Sequence, residues 1–205
     1  MIVVIDYKMG NLRSILHKLG QIGVEAIVSS KAKDIENAKK LILPGVGAFD
    51  TGMNNLKTYN LIEILNKKVL EERIPILGIC VGMQLYAKQS EEGNAKGLGW
   101  IDAEVKRFNF AENNNRLRVP LVGWNTINQK RESPILKGVV PSQRFYFTHS
   151  YHVCCNSPGD VVATTHYGYD FVSVLQHKNI FGLQFHTEKS HRRGIELVKN
   201  FVEYS

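Results

Sequence analysis

Ile76-Leu77-Gly78-Ile79-Cys80-Val81-Gly82-Met83-Gln84 takes the chain from an apolar run into a Gly-x-Cys-x-Gly turn, and a helix-compatible segment, Met83 to Lys88, follows. This is the sequence form of a nucleophile elbow, with cysteine in the place serine takes in the better-known hydrolase version. A sharp strand-to-helix turn strains the backbone at the nucleophile, and Gly78 and Gly82 leave room for the crowded chain. The pattern predicts a sulfur at a helix N-terminus, where free N–H groups and the dipole favour thiolate and hold an oxyanion. On its own, Cys80 would read as a buried structural cysteine at a strand end. The rest of the chain decides against that.

Upstream, Ile2 to Ile5 reads as a buried strand ended by Asp6, and Leu12, Ile15, Leu16 and Leu19 follow at helical spacing as far as Gly20. A second strand is expected at Val24–Val28, a short helix from Asp34, and a third strand at Leu41-Ile42-Leu43, running into Pro44-Gly45-Val46-Gly47. Helices are expected over Asp50–Leu56 and Leu61–Leu70, then the strand Pro75–Gly78 that feeds the elbow. Strands alternating with helices imply crossovers and a parallel sheet. Beyond about Ser90 the character changes. Glu91 to Trp100 is a polar, glycine-rich excursion. From Asp102 to Phe185 short alternating strands dominate, with turns at Asn113-Asn114-Asn115, Asn156-Ser157-Pro158-Gly159 and Tyr167-Gly168. An amphipathic helix, Arg193 to Tyr204, closes the chain. The expectation is an α/β fold: a central, mostly parallel (mixed) sheet flanked by helices, with an antiparallel, strand-rich C-terminal half, in one domain over 1–205.

Composition sets bounds. At 205 residues, 43% apolar and 22% charged, the chain is ordinary globular material for one well-packed domain. No window approaches a membrane span, and the first residues lack the basic flank of a signal peptide. Three cysteines, two of them adjacent (Cys154, Cys155), make neither a disulfide framework nor a zinc site, which implies a reducing, cytoplasmic compartment. The net charge of +7 raises nucleic acid as a partner, but the lysines are dispersed among acidic residues and form no aromatic-interleaved block. A solvated lysine-rich surface accounts for them. No spacing implies a metal or an organic cofactor.

The second informative stretch is Phe181-Gly182-Leu183-Gln184-Phe185-His186-Thr187-Glu188. His186 and Glu188 lie two apart, so an extended backbone points both side chains one way. A base and its orienting carboxylate need this: the imidazole takes the thiol proton and the carboxylate fixes the tautomer. A His-x-Glu alone is weak, and so is a Pro-Gly turn. Together with Cys80 they gain force. Pro44-Gly45-Val46-Gly47 lies just past a strand end, where active sites of open α/β sheets form, so N–H groups there and at Val81 are candidates for an oxyanion hole.

These residues resemble the class I (triad) glutamine amidotransferases. Asp6-Tyr7-Lys8-Met9-Gly10-Asn11-Leu12, Leu43 to Phe49, Gly123-Trp124-Asn125 and Tyr146-Phe147-Thr148-His149-Ser150-Tyr151 are similar, further, to one branch, the glutaminase subunits of imidazole glycerol phosphate synthase. The resemblance implies that Cys80, His186 and Glu188 are the triad that hydrolyses L-glutamine to glutamate and ammonia through a thioester. It implies Val81, Gly45 and Val46 as the oxyanion hole, and Gly47, Gln84, Ser150, Tyr151 and His152 as the glutamine site. It also implies a (β/α)8-barrel synthase subunit as heterodimeric partner, reached at Asn11, Trp124, Tyr146 and Lys189. That partner would receive the ammonia through a channel and make imidazole glycerol phosphate and AICAR for histidine biosynthesis. The Gly45–Val46 peptide is the expected switch that keeps the glutaminase idle without its partner.

Two positions depart from the pattern. Lys8 stands where the branch usually has glycine, and Thr187 where the superfamily usually has proline. Three other readings stay open: a paralogue that supplies ammonia for amidating a bacterial surface sugar, a Cys/His hydrolase of another substrate, and a non-catalytic scaffold or regulator.

Overall fold

A computed structural model describes residues 1–110 and 117–204. The turn expected at Asn113-Asn114-Asn115 lies outside the described residues.

The N-terminal half alternates strands and helices. Strand β1 (Ile2–Ile5) is wholly buried, as four consecutive apolar residues require. Asn11 caps helix α1 (Leu12–Gln21), its Oδ1 accepting the Ser14 N–H at 3.4 Å, and the helix turns Ile15 and Leu19 inward. Strand β2 (Ala26–Ser29), helix α2 (Ala32–Glu36), strand β3 (Lys40–Gly45), and helices α3 (Phe49–Thr58) and α4 (Ile62–Asn66) follow. The helix expected over Leu61–Leu70 is regular only in α4 and widens into a π-helical turn over Lys67–Glu71. There the buried Lys68 ammonium donates to the Glu36 carbonyl at 2.8 Å and pairs with Glu72. Strand β4 (Ile76–Cys80) then delivers the chain to helix α5 (Val81–Gln84).

Helix α5 is much shorter than the segment Met83–Lys88 suggests. The carbonyls of Leu85, Tyr86, Ala87 and Lys88 accept from Leu98, Ile101, Gly99 and Gly97 instead of from a following helical turn. The glycine-rich excursion thus takes the acceptors that would have continued the helix, and with a single turn the macrodipole at Cys80 is small.

The second half supplies β5 (Gln89–Ser90), β6 (Ala103–Arg107), β7 (Leu121–Thr126), β8 (Asn128–Gln129), β9 (Arg144–His149), β10 (Tyr151–Cys155), β11 (Val161–Tyr167), β12 (Tyr169–His177) and β13 (Ile180–Leu183), then helix α6 (His191–Glu203). The main sheet has the order β2-β1-β3-β4-β13-β12-β11-β8. It is parallel from β2 to β13 and antiparallel beyond, so the mixed α/β architecture is as expected. Two small sheets, β10-β6-β5 and β7-β9, lie apart from it. Cys154 and Cys155 sit in β10 as free thiols. The Lys40 ammonium donates to the carbonyls of Phe201, Val202 and Tyr204, holding the end of α6 to the sheet. Among the described residues, no helix is long and apolar enough to cross a membrane.

Candidate active site

Parallel register brings three carboxyl-terminal strand ends together. Gly45 of β3 pairs with Cys80 of β4, and Leu183 of β13 pairs with Ile79. The Pro-Gly loop, the cysteine and the chain leading to His186 therefore leave the sheet side by side.

Cys80 has φ +54° and ψ −114°, outside the regions a side chain favours, as an elbow demands. Its neighbours have no room to give. A Cβ on Gly82 would overlap the Leu43 carbonyl, and one on Gly78 would sit 2.7 Å from the Met83 nitrogen and from Tyr86. The N–H groups of the first helical turn, Val81 among them, have no intrahelical acceptor.

His186 Nδ1 lies 2.8 Å from Glu188 Oε1, and the two side chains are 2% and 3% exposed. A carboxylate accepts only, so Nδ1 carries the proton and Nε2 is left for the sulfur. Burial opposes the imidazolium, but Cys80 and Glu188 outweigh it and raise the His186 pKa to about 10. The way the pair meets differs from the extended backbone expected. His186 is extended, but Thr187–Lys189 is a 3-10 turn. Ser190 Oγ donates to the His186 carbonyl at 2.6 Å, and the Lys189 N–H donates to the same oxygen at 3.2 Å. Thr187 lies inside this turn, 1% exposed, at the place of the usual proline.

Cys80 and His186 open on one cavity of about 340 Å³, lined also by Val46, Gly47, Val81, Gln84, Ser150, Tyr151 and Lys189. Gly47 holds φ +119°, a glycine conformation. Val46 is 52% exposed at the cavity mouth. Gly45 lies deeper, where a Cβ would meet the Gly82 nitrogen at 2.6 Å and the Tyr7 hydroxyl at 2.7 Å. Tyr7 donates to the Pro44 carbonyl at 2.6 Å, which fixes the start of this loop. Burial, with Cys80 nearby, raises the Tyr7 pKa and keeps its donor proton in place.

Of the expected glutamine-site residues, His152 is not among those lining the cavity. Its ring packs on Phe108, with Nε2 2.9 Å from the Tyr169 hydroxyl. The neighbour that does line it is His149, which the sequence reading passed over. His149 Nδ1–H donates to the Tyr151 carbonyl at 2.8 Å, and its Nε2 is buried without a partner. Burial holds its pKa down, to about 3, so the ring is neutral. The Tyr151 carbonyl accepts from Gln84 Nε2 as well, at 2.9 Å, which leaves Gln84 its oxygen to offer a ligand. Gln184, also unforeseen, donates to Cys80 Sγ at 3.7 Å.

The expected partner-face residues are distributed unevenly. Trp124 is 40% exposed, edge-on to Tyr146 at 5.7 Å, with the His191 ring stacked on it at 5.1 Å. Lys189 Nζ lies 5.5 Å from the centre of the Tyr146 ring and lines the cavity, so the patch adjoins the site. Asn11 stands apart from the cavity as the α1 cap. Lys8 keeps a glycine-like φ of +62°, its N–H and ammonium both donating to Asp6.

Comparison with known proteins assigns nearly the whole chain to one family. The family model "Glutamine amidotransferase class-I" matches residues 3–204. The chain is 46% identical over 203 residues to "Imidazole glycerol phosphate synthase subunit HisH 2" of Pseudomonas aeruginosa, covering 99% of each. It is 45% identical to the Methanococcus maripaludis protein of that name, again over 99% of each. A crystal structure of a glutamine amidotransferase superposes with a TM-score of 0.73 at 22% identity, covering 99% of this chain and 98% of the other, which shows the shared fold. The chain belongs to the class-I glutamine amidotransferase family, and the Pseudomonas aeruginosa and Methanococcus maripaludis relatives are named HisH subunits.

Proposed function

We propose that the chain is the glutamine-hydrolysing subunit of an imidazole glycerol phosphate synthase, with Cys80, His186 and Glu188 as its triad. One observation carries the chemistry: a cysteine at φ +54° shares a cavity with a buried imidazole whose other nitrogen is held by a carboxylate. The thiolate attacks the side-chain carbon of L-glutamine. The oxyanion is held by the Val81 N–H and, with the Gly45–Val46 peptide suitably turned, by Val46, each donor worth ~3–4 kcal/mol. His186 gives its proton to the departing nitrogen, ammonia leaves, and a γ-glutamyl thioester remains. Water, deprotonated by His186, then attacks the thioester, and glutamate leaves with the thiolate–imidazolium pair regenerated.

Gln84, through its free oxygen, and Gly47, Ser150 and Tyr151 orient glutamine. Ammonia is consumed by a (β/α)8-barrel synthase subunit docked at Trp124, Tyr146 and Lys189, so that free base rather than ammonium reaches the acceptor. The pathway assignment is supported by the Pseudomonas aeruginosa and Methanococcus maripaludis relatives, 46% and 45% identical over 99% of each chain. The test is glutamate formation by the chain alone and with the histidine-pathway synthase subunit plus its ribonucleotide. Strong stimulation that Cys80→Ala abolishes is expected. Cys80-dependent turnover that this subunit fails to stimulate would overturn the pathway and favour surface-sugar amidation. That second reading is favoured by Lys8, which sets a cation, paired with Asp6, on a turn where the resemblance leads one to expect the branch's usual glycine.

A further inference from the structure

Gln184 stands between the nucleophile and Gln84, and no step above uses it. Register puts it there. Strand β13 runs parallel to β4 with Leu183 opposite Ile79, so the next residue on each chain is Gln184 beside Cys80. The side chain is 0% exposed, a costly place for an amide whose groups are unpaired. Here they are paired in a line. Gln84 Nε2 donates to the Tyr151 carbonyl at 2.9 Å and to Gln184 Oε1 at 3.1 Å, and Gln184 Nε2 donates to Cys80 Sγ at 3.7 Å. One end sets the direction of the whole line. The Tyr151 carbonyl only accepts, so Gln84 must turn its NH2 toward it. The second hydrogen of that NH2 needs an acceptor, so Gln184 presents its oxygen to Gln84 and its nitrogen to the sulfur.

We propose that Gln184 is a further catalytic residue, an oriented donor that stabilises the Cys80 thiolate and holds its sulfur toward the glutamine cavity. This rests on the reading of Cys80 as nucleophile. An N–H donor binds a thiolate more strongly than a thiol, because the bond is charge-assisted. The charge is present twice per turnover, when the thiolate attacks and when it leaves the thioester. At the second moment His186 has just taken a proton from water, and the two groups share the stabilisation. Because Gln84 orients Gln184, a ligand that engages Gln84 is two hydrogen bonds from the sulfur.

The test is the pH dependence of Cys80 alkylation by iodoacetamide, followed on the Cys80 peptide by mass spectrometry in the full chain. Wild type, Gln184→Met and Gln184→Glu are compared, with glutamate formation in the presence of the synthase subunit measured alongside. Gln184→Met keeps the volume without the donor. Its alkylation midpoint is expected about one pH unit or more higher, and kcat at neutral pH roughly 10–100-fold lower with KM for glutamine little changed. Gln184→Glu adds a like charge beside the thiolate and is expected to shift the midpoint further. A packing role alone would lower the melting temperature and leave the midpoint where it is. Superimposable midpoints would overturn the proposal, and should Gln184→Met not fold, the isosteric Gln184→Glu carries the comparison alone. Turnover retained by Cys80→Ala would overturn the nucleophile reading instead, a result independent of the midpoints.

Discussion

Gly82 lies flat against Leu43: the glycine after the elbow has no space for a Cβ because the Leu43 carbonyl of the neighbouring strand fills it. The clash is with main chain, which cannot rotate away. Gly82→Ala is therefore expected to displace the elbow or β3 and to cost about 3 kcal/mol or more of unfolding free energy. Urea unfolding monitored by circular dichroism reads this directly. Stability within 1 kcal/mol of wild type would mean that the elbow yields more easily than its packing indicates.

Gly45 is confined by the same crowding on its other side, where the Gly82 nitrogen, the Tyr7 hydroxyl and the Val81 Cβ are all within 2.8 Å of an added Cβ. Gly45→Ala is expected to lower kcat for glutamine by roughly 10²-fold or more, as loss of one oxyanion donor does, with a smaller change in KM. Steady-state glutaminase kinetics in the presence of the synthase subunit checks the split. A rise in KM alone would place Gly45 in ground-state binding.

The elbow was legible because its glycines flank the cysteine at fixed spacing, and the open sheet because short apolar strands alternate with helical periodicity. What the sequence hid has physical causes. Helix α5 stops after one turn because a loop some ten residues further on captures the carbonyls of Leu85–Lys88 that would have continued it, which no local propensity records. Glu188 reaches His186 from a 3-10 turn rather than from a strand, because Ser190 and Lys189 bond back to the His186 carbonyl. Gln184 also lies two residues from His186, yet that spacing alone did not single it out. An uncharged amide carries no chemistry by itself, and only the register with Cys80 gives it meaning. His149 closes β9 and His152 lies in β10, and only the fold shows that the first lines the cavity and the second does not.

Glu188→Gln tests the carboxylate. Glutamine in its place can turn an N–H toward Nδ1, which disrupts the tautomer and withdraws the charge that sustains the imidazolium. A kcat loss of roughly 10²–10⁴-fold is expected, with the fold intact by circular dichroism. Near-normal turnover would remove Glu188 from the catalytic group.

Two buried imidazoles shape the pH dependence of stability in opposite directions. His186 has a folded value of about 10 against an ordinary 6.5. Its proton is retained on folding, so its contribution is complete below about pH 6.5 and is lost as pH rises through 10. His149 is held down to about 3, so between pH 6.5 and 3 the unfolded chain takes up a proton that the folded one refuses, and stability falls as pH falls. Relative to wild type, His186→Gln is expected to flatten the alkaline decline, and His149→Gln the acid one. Chemical unfolding across pH 4–9 measures both slopes. Unchanged slopes in either variant would contradict the assignment for that ring.

Trp124 separates docking from chemistry. Its ring is 40% exposed and touches Tyr146 and His191 rather than the reacting atoms. An exposed aromatic is the residue type that carries interface energy. Trp124→Ala is expected to change the stability of the isolated chain by less than about 1 kcal/mol. Affinity for the synthase subunit is expected to weaken by roughly 30-fold or more, the equivalent of a hot-spot loss of about 2 kcal/mol. Titration calorimetry against the synthase subunit, with glutaminase activity measured at saturating partner, distinguishes the cases. Weakened binding with full activity at saturation places Trp124 in docking. Unchanged binding would make the Trp124–His191 stack a local support for the turn that carries Glu188, and the partner face would have to lie elsewhere.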